Sequence, residues 1–300
     1  MTEWSALCLA TAAMGTRFEL VLGGPHPESL RPAGETALEE IELWHRRLSR
    51  FATDSLISHL NRTASKAPVR LDGETFALFT DALRVFRDSD GAFDLAVAPL
   101  MERHGFAPSA VPGLEWVSST AIRLDSKART FRFTCPGVSL DLSAIGKGHA
   151  LDCAATLLRA HGVGCALLHG GTSSVVAIGA PPGEPGWRVA LGPQGRAGTV
   201  TLRNEALSVS DASSQTARAG GHIVDARSGC PAAWQGIVAV IGPSARLCDA
   251  WSTALVALGV VPPTFPRGYQ ALRHQGALSR HPHSAWNARY QRPVQSTSTP

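Results

Sequence analysis

The sequence predicts a mixed α/β protein of the α+β kind, in which helices and sheet form separate layers. Three observations carry that expectation. Runs of strand length and runs of helical periodicity mix along the chain without a strict βαβ rhythm. Hydrophobic residues make up 44% of the 300 positions against 17% charged, enough to bury a substantial core. No internal repeat is visible. One domain is expected over residues 1–278, and the polar, proline-bearing, aperiodic residues 279–300 are expected to form a disordered tail.

The N-terminal stretch MTEWSALCLATAAMGTRFELVLGG reads as a strand pair. Leu38, Ile41, Trp44 and Leu48 then recur at helical spacing, and SLISHLNR continues as a second short helix. A third helix, ETFALFTDALRVFRDSDG, is expected to bury Phe76, Phe79, Leu83 and Phe86 and to end at Gly91. AIRLDSKARTFRFT and VSLDL read as strands, followed by a helix from Ile145 to His161. VGCALLHGGTSSVVAIG supplies two apolar strands around a glycine pair. Further strands are expected at Trp187 to Leu191, Gly198 to Leu202, Ala206 to Val209 and Ile237 to Ile241. A helix from Ser244 to Gly259 follows, with Ser244 as its N-cap.

The formal charge of +4 is modest and no basic run is interleaved with aromatics, which argues against a nucleic-acid partner. No stretch approaches the roughly 20 apolar residues that span a bilayer. Glu3 and the lack of a basic leading segment argue against a signal peptide, so a cytoplasmic location is expected. Cys8, Cys135, Cys153, Cys165, Cys230 and Cys248 form no CxxC pair, so neither a zinc knuckle nor a redox dithiol is indicated.

Chemistry is concentrated in a few stretches. In DLSAIGKGHALD, Asp141 to Asp152, a Gly-Lys-Gly step opens a helix. Free backbone N–H groups, the positive end of the helix dipole and the Lys147 ammonium together suit an anion such as a phosphate. The spacing matches neither a P-loop nor a dinucleotide-binding turn, so an ordinary strand-to-helix turn stays open. In SARLCDAWSTALVALG, Asp249 lies beyond the cap, and Ser252 and Thr253 share its helix face. That all-oxygen set suits a hard cation such as Mg²⁺; the other reading is an aspartate making local hydrogen bonds on a half-exposed face. GGHIVDARSGCPA places His222, a candidate general base, near Asp225, which could orient it or stabilise a turn. DSDGAFDLAVAPL presents Phe93 and Asp94 beside a turn, where the ring could stack on a planar ligand or fill the core.

Taken together and in order, MGTRFEL, LSRFATDSLISHLN, GAFDLAVAPL, DLSAIGKGHALD, LLHGGTSSVVAIG, GGHIVDARSGCPA and CDAWSTALVALG resemble the ApbE family, the FAD:protein FMN transferases, from Met14 to Gly259. The resemblance implies an ApbE-like flavin transferase fold, FAD as substrate and Mg²⁺. It also implies an acceptor protein whose threonine or serine receives FMN through a phosphoester, with release of AMP. By the same resemblance Asp141 and Lys147 contact FAD and Ala144 lends its backbone carbonyl to the metal. Asp249, Ser252 and Thr253 complete the metal's protein ligands. Met14, Phe51, Ala92, Phe93, Asp94 and Ile223 fall where the family holds the flavin and its adenosine half, and His222 is the candidate to deprotonate the acceptor hydroxyl.

The chain also departs from the family's pattern. DARSG stands where DPxTG is frequent, so Ala226 lacks proline's fixed φ and Ser228 lacks a methyl. Asp211 follows Ser210 where Ser-Gly is frequent, adding negative charge near bound phosphates. Phe51 replaces a frequent tyrosine, keeping the ring face without the hydroxyl. Two alternatives therefore stand beside the transferase: an FAD pyrophosphatase yielding FMN and AMP, and a protein that binds FAD without consuming it.

Overall fold

In the computed structural model, residues 4–106, 115–191, 197–212 and 223–274 are described. The chain begins with β1 (Ser5–Ala13), β2 (Thr16–Gly24), α1 (Arg31–Leu48), α2 (Leu56–Thr63), β3 (Val69–Arg70), α3 (Gly73–Asp88) and α4 (Ala98–Arg103). The middle comprises β4 (Ile122–Asp125), β5 (Thr130–Phe133), α5 (Gly146–Ala160), β6 (Ala166–Gly170), β7 (Ser174–Ile178), β8 (Trp187–Ala190) and β9 (Thr199–Leu202). Then come β10 (Ala206–Asp211), β11 (Val224–Asp225), β12 (Cys230–Pro231), β13 (Ile237–Gly242), α6 (Ala245–Leu258) and β14 (Gln270–His274).

The main sheet has seven strands in the order β1-β2-β6-β7-β10-β13-β14, and every adjacent pair is antiparallel. β3-β5-β4 form a smaller sheet, and β8-β9 and β11-β12 form two-stranded pairs. Side-chain alternation decides which face of the main sheet each residue takes. Leu20, Leu168 and Val176 enter the core that contains Ile41, Leu151 and Leu255 from α1, α5 and α6. Val21, Leu167 and Val175 point the other way, into a second core with Trp187 and Leu202 of β8 and β9. With both faces covered, β7 and β13 are buried along their whole length and carry nearly continuous apolar runs. This is the α+β layering expected from the sequence.

The β1–β2 hairpin closes through Met14 and Gly15, with φ of 49° and 72°, the two left-handed positions of a turn that matches strand twist. Met14 carries the conformational cost of that turn, and its N–H is held by His45 Nδ1 of α1 at 3.1 Å.

Two expectations change. On α3 the buried stripe is Leu78, Phe79, Ala82 and Val85, while Phe76, Leu83 and Phe86 lie at its partly buried flanks. Phe79 faces the small sheet, its ring 4.6 Å from that of Phe131. VSLDL forms no strand: Leu140 N–H goes to the Asn61 side chain of α2 at 3.0 Å and Asp141 N–H to Leu95 O at 2.7 Å, so a helix side chain and a loop carbonyl rather than a ladder satisfy this backbone. The tail expected at 279–300 lies outside the described residues. Among the described residues no helix is long and apolar enough to cross a membrane.

α5 and α6 cap each other. Asp152 of α5 accepts from Ser244 Oγ, Ala245 N–H and Arg246 N–H at 2.7, 2.8 and 3.0 Å. Asp249 of α6 accepts from Gly148 N–H, in the first turn of α5, at 3.1 Å. Each carboxylate thereby satisfies N–H groups that a helix start leaves without an intrahelical partner.

Two buried histidines set a pH dependence. Burial lowers His149 to about 3 and His169 to about 4, below the ordinary 6.5, and the Arg246 guanidinium adds to the shift at His149. Both are neutral when folded and take up protons on unfolding below pH 6.5. Stability is thus full above that pH and falls below it by about 1.4 kcal/mol per pH unit for each histidine. Urea titrations from about pH 7.5 to about pH 5 should show this loss, and His149→Gln should remove about half of the slope. An unaltered slope in the variant would rule out His149 as a source.

Candidate active site

A cleft of about 410 Å³ opens where the N-terminal turns of α5 and α6 meet the ends of β7, β10 and β11. Its walls bring together Ala92, Phe93 and Asp94 ahead of α4, Ala144 and Lys147 at the start of α5, Ile223 before β11, and Asp249 and Thr253 of α6. These eight come from the sequence-predicted set. Ser210 and Asp211, at the end of β10, line the same space.

Asp249 is only 3% exposed, and its partners are remote in sequence. Oδ2 takes the Gly148 N–H. Oδ1 accepts from Ser208 Oγ at 3.0 Å and Ser174 Oγ at 3.5 Å, and faces Lys147 Nζ at 3.8 Å. This is not the local hydrogen bonding of a half-exposed aspartate. The serines face α6 because β10 alternates: Leu207 and Val209 fill the second core, so Ser208 and Ser210 must turn to the helix side. Ser210 Oγ lies 2.8 Å from Ser252 Oγ and 3.4 Å from Thr253 Oγ1. Thr253 is on the cleft wall, whereas Ser252 is fully buried behind it and donates to Asp249 O at 3.0 Å. Carboxylate and hydroxyl oxygens therefore converge here, a donor set that fits a hard cation. Ser208 had a legible signal in the L-S-V-S alternation of β10, but nothing local shows that its polar face meets Asp249, and Ser174 in the S-V-V-A-I run of β7 had none.

Lys147 stands over the first turn of α5, with Nζ 3.3 Å from Ser143 O. Asp141 is behind the wall: Oδ1 accepts from Ser143 N–H at 2.9 Å and Oδ2 meets Arg50 Nε at 3.2 Å. The Asp94 carboxylate is engaged by the N–H groups of Ala96 and Ser119 and by the Ser119 hydroxyl. Burial pushes its carboxyl up from the ordinary value, against those hydrogen bonds. Phe93 is 3% exposed, so it fills the core while bordering the cleft. Met14 packs beside the start of α5, its Sδ 3.9 Å from where a side chain on Gly146 would stand. Phe51 lies off the cleft wall and is 57% exposed. Asp225 is held by Arg227, whose Nε and Nη2 reach its two oxygens at 2.9 and 2.7 Å, the contacts of a turn-holding carboxylate. His222 lies outside the described residues.

A second cluster, Glu74, His149 and Cys153, also gathers possible metal ligands. Arg246 holds the place a cation would need: Nη1 is 3.4 Å from Glu74 Oε1 and 3.3 Å from His149 Nδ1, and Nη2 is 2.7 Å from Asp81. Burial also pushes the Cys153 thiol far from its thiolate. That cluster is an ion-pair network built around a guanidinium.

Fold and cleft together define an α+β protein whose site sets a lysine at a helix N-terminus beside an oxygen-only donor set, suited to a phosphate-bearing substrate and a hard cation. The sequence pattern of the ApbE family matches residues 14–263. The chain is 30% identical over 239 residues to the FAD:protein FMN transferase of Salmonella typhimurium, covering 71% of this chain and 67% of that protein. It is 25% identical over 295 residues to a Klebsiella pneumoniae protein of the same name, covering 91% and 83%. Among solved structures, the ApbE protein of Thermotoga maritima aligns with a TM-score of 0.74 at 26% identity, over 85% of this chain and 87% of that one. The flavin transferase ApbE of Vibrio cholerae shares the fold, with a TM-score of 0.71 at 22% identity over 85% and 88%. This chain belongs to the ApbE family.

A Cβ on Gly148 would stand 2.2 Å from Ala245 O, so any side chain there must separate α5 from α6. Gly148→Ala is expected to cost about 1–3 kcal/mol in urea unfolding. Gly146→Ala should cost less, since its Cβ would meet only side-chain ends, those of Leu48 at 3.4 Å and Met14 at 3.9 Å. Equal losses would show that the helix crossing is not the constraint.

Proposed function

We propose that this protein is a Mg²⁺-dependent FAD:protein FMN transferase, which cleaves FAD, attaches FMN to a threonine or serine of an acceptor protein and releases AMP. The observation that carries this reading is the meeting of Lys147 and Asp249, 3.8 Å apart, on one wall of the cleft. The fold and the names of the relatives support it.

Asp249, Thr253 and the Ala144 carbonyl would hold Mg²⁺, with Ser252 supporting them from behind. When bound there, the ion supplies Lewis-acid stabilisation to phosphoryl oxygens. The remaining work falls to the chain. Lys147 binds the phosphoryl oxygens and stabilises the charge they gain as the acceptor oxygen bonds to the FMN phosphorus and the bond to AMP breaks. The positive end of the α5 dipole favours the same anion. Ala92, Phe93 and Ile223 give the cleft its apolar side. His222 takes the acceptor hydroxyl proton, a role whose removal costs on the order of 10²- to 10⁴-fold in rate.

Asp211 supports a second reading. It lines the same cleft as Lys147, and a carboxylate close to bound phosphates would favour weak use of FAD, or binding without turnover.

Purified protein incubated with FAD, Mg²⁺ and a serine- or threonine-bearing acceptor domain should add one FMN mass to the acceptor and release AMP in step. FMN and AMP without acceptor labelling would indicate a pyrophosphatase, and intact bound FAD a binding protein. EDTA should stop AMP release and excess Mg²⁺ restore it. Lys147→Met should lower the rate by about 10²-fold or more, whereas Asp211→Asn should tighten FAD binding by about three- to tenfold. Unchanged AMP release in Lys147→Met would remove that lysine from the reaction.

A further inference from the structure

We propose that Arg50 is a positioning residue for the FAD site, joining the exposed Phe51 ring to the loop that sets Lys147. The proposal rests on the transferase reading above and adds a residue of the LSRFATDSLISHLN motif to which no role was assigned.

Arg50 lies just past the end of α1 and is 8% exposed. Its guanidinium bridges a half-buried and a buried carboxylate: Nη1 is 2.7 Å from Glu102 Oε1 of α4, and Nε is 3.2 Å from Asp141 Oδ2. From Asp141 the contacts run on toward the cleft. Asp141 Oδ1 accepts the Ser143 N–H at 2.9 Å, and Ser143 O accepts from Lys147 Nζ at 3.3 Å. An ion pair followed by two hydrogen bonds thus leads from Arg50 through Asp141 and Ser143 to the cleft ammonium. The same guanidinium stands 4.5 Å over the Phe51 ring. Phe51 remains 57% exposed, and the turn that carries it is tied by the Ser49 hydroxyl, which accepts the N–H of Phe51 at 3.3 Å and of Ala52 at 3.1 Å.

This arrangement has a physical purpose. Two carboxylates near a phosphate site would repel the substrate, and Arg50 compensates that charge without entering the cleft. A guanidinium covering one face of an aromatic ring fixes its orientation and leaves the rest of the ring to a planar heterocycle such as those of FAD. Lysine cannot do both, because a single ammonium lacks the planar fork that reaches two carboxylates while stacking on a ring.

Arg50→Lys keeps the charge and removes the fork. Three quantities decide the matter: the Kd for FAD from quenching of FAD fluorescence, the KM for FAD, and kcat for acceptor labelling at saturating FAD and Mg²⁺. Kd and KM are expected to rise about tenfold while kcat stays within about twofold. A folded Arg50→Lys variant that binds FAD like the wild type, or that loses kcat at unchanged KM, overturns the proposal. If Arg50→Lys fails to fold, Glu102→Gln decides: it loosens the guanidinium while keeping an acceptor oxygen, and should raise KM by about threefold. An unchanged KM there overturns the proposal as well. A wild-type protein that neither quenches FAD nor labels an acceptor would instead defeat the transferase reading itself.

Discussion

Asp152 and Asp249 hold the site together by an exchange: each belongs to one helix and satisfies backbone N–H groups at the start of the other. Leaving a buried N–H without a partner costs about 1–3 kcal/mol, so the N-terminal turns of α5 and α6 cannot shift independently. Gly148 makes the exchange possible, because any larger residue would meet the backbone of Ala245. The consequence for the cleft lies in how Asp249 divides its oxygens. Oδ2 is committed to Gly148, while Oδ1 faces Ser208, Ser174 and Lys147. One carboxylate is therefore both a structural cap and the charged centre of the cleft.

The sheet supplies the complement. Its helix-facing side is apolar over most of its extent, yet Ser174, Ser208 and Ser210 place hydroxyls beneath α6. Buried hydroxyls are tolerated when they are partnered, and here Asp249, Ser252 and Thr253 reciprocate. Because β10 alternates, the residues between those serines serve the second core under β8 and β9. Parity separates Ser208 from Leu207 within β10, but at its end Val209, Ser210 and Asp211 all border the cleft.

Electrostatics around the cleft are finely divided. Arg50, Glu102 and Asp141 form a buried network behind the wall, and Lys147 and Asp249 face each other on it. Asp211 adds a carboxylate, and the fold places it on the cleft wall. Arg246 plays the corresponding part on the other side of the α5–α6 crossing, where it joins Glu74 and Asp81 beside the neutral His149.

The amino-acid sequence alone determined what depends on neighbours along the chain. The β1–β2 hairpin, α1, α5, α6 and the strands of the central sheet other than β14 followed from the sequence pattern, and Asp249, Ser252 and Thr253 could be placed on one helix face from their spacing. The conjunction of motifs pointed to the family, and through it to cleft residues scattered from Ala92 to Thr253. Tertiary structure decided the rest: that Asp249 caps a helix 101 residues away, that serines of β7 and β10 meet it, that VSLDL lacks a strand partner, and that Arg50 reaches Asp141. None of these has a local signature, because a side chain's partner across the core depends on how the layers stack, and stacking is set by the burial of the whole chain at once.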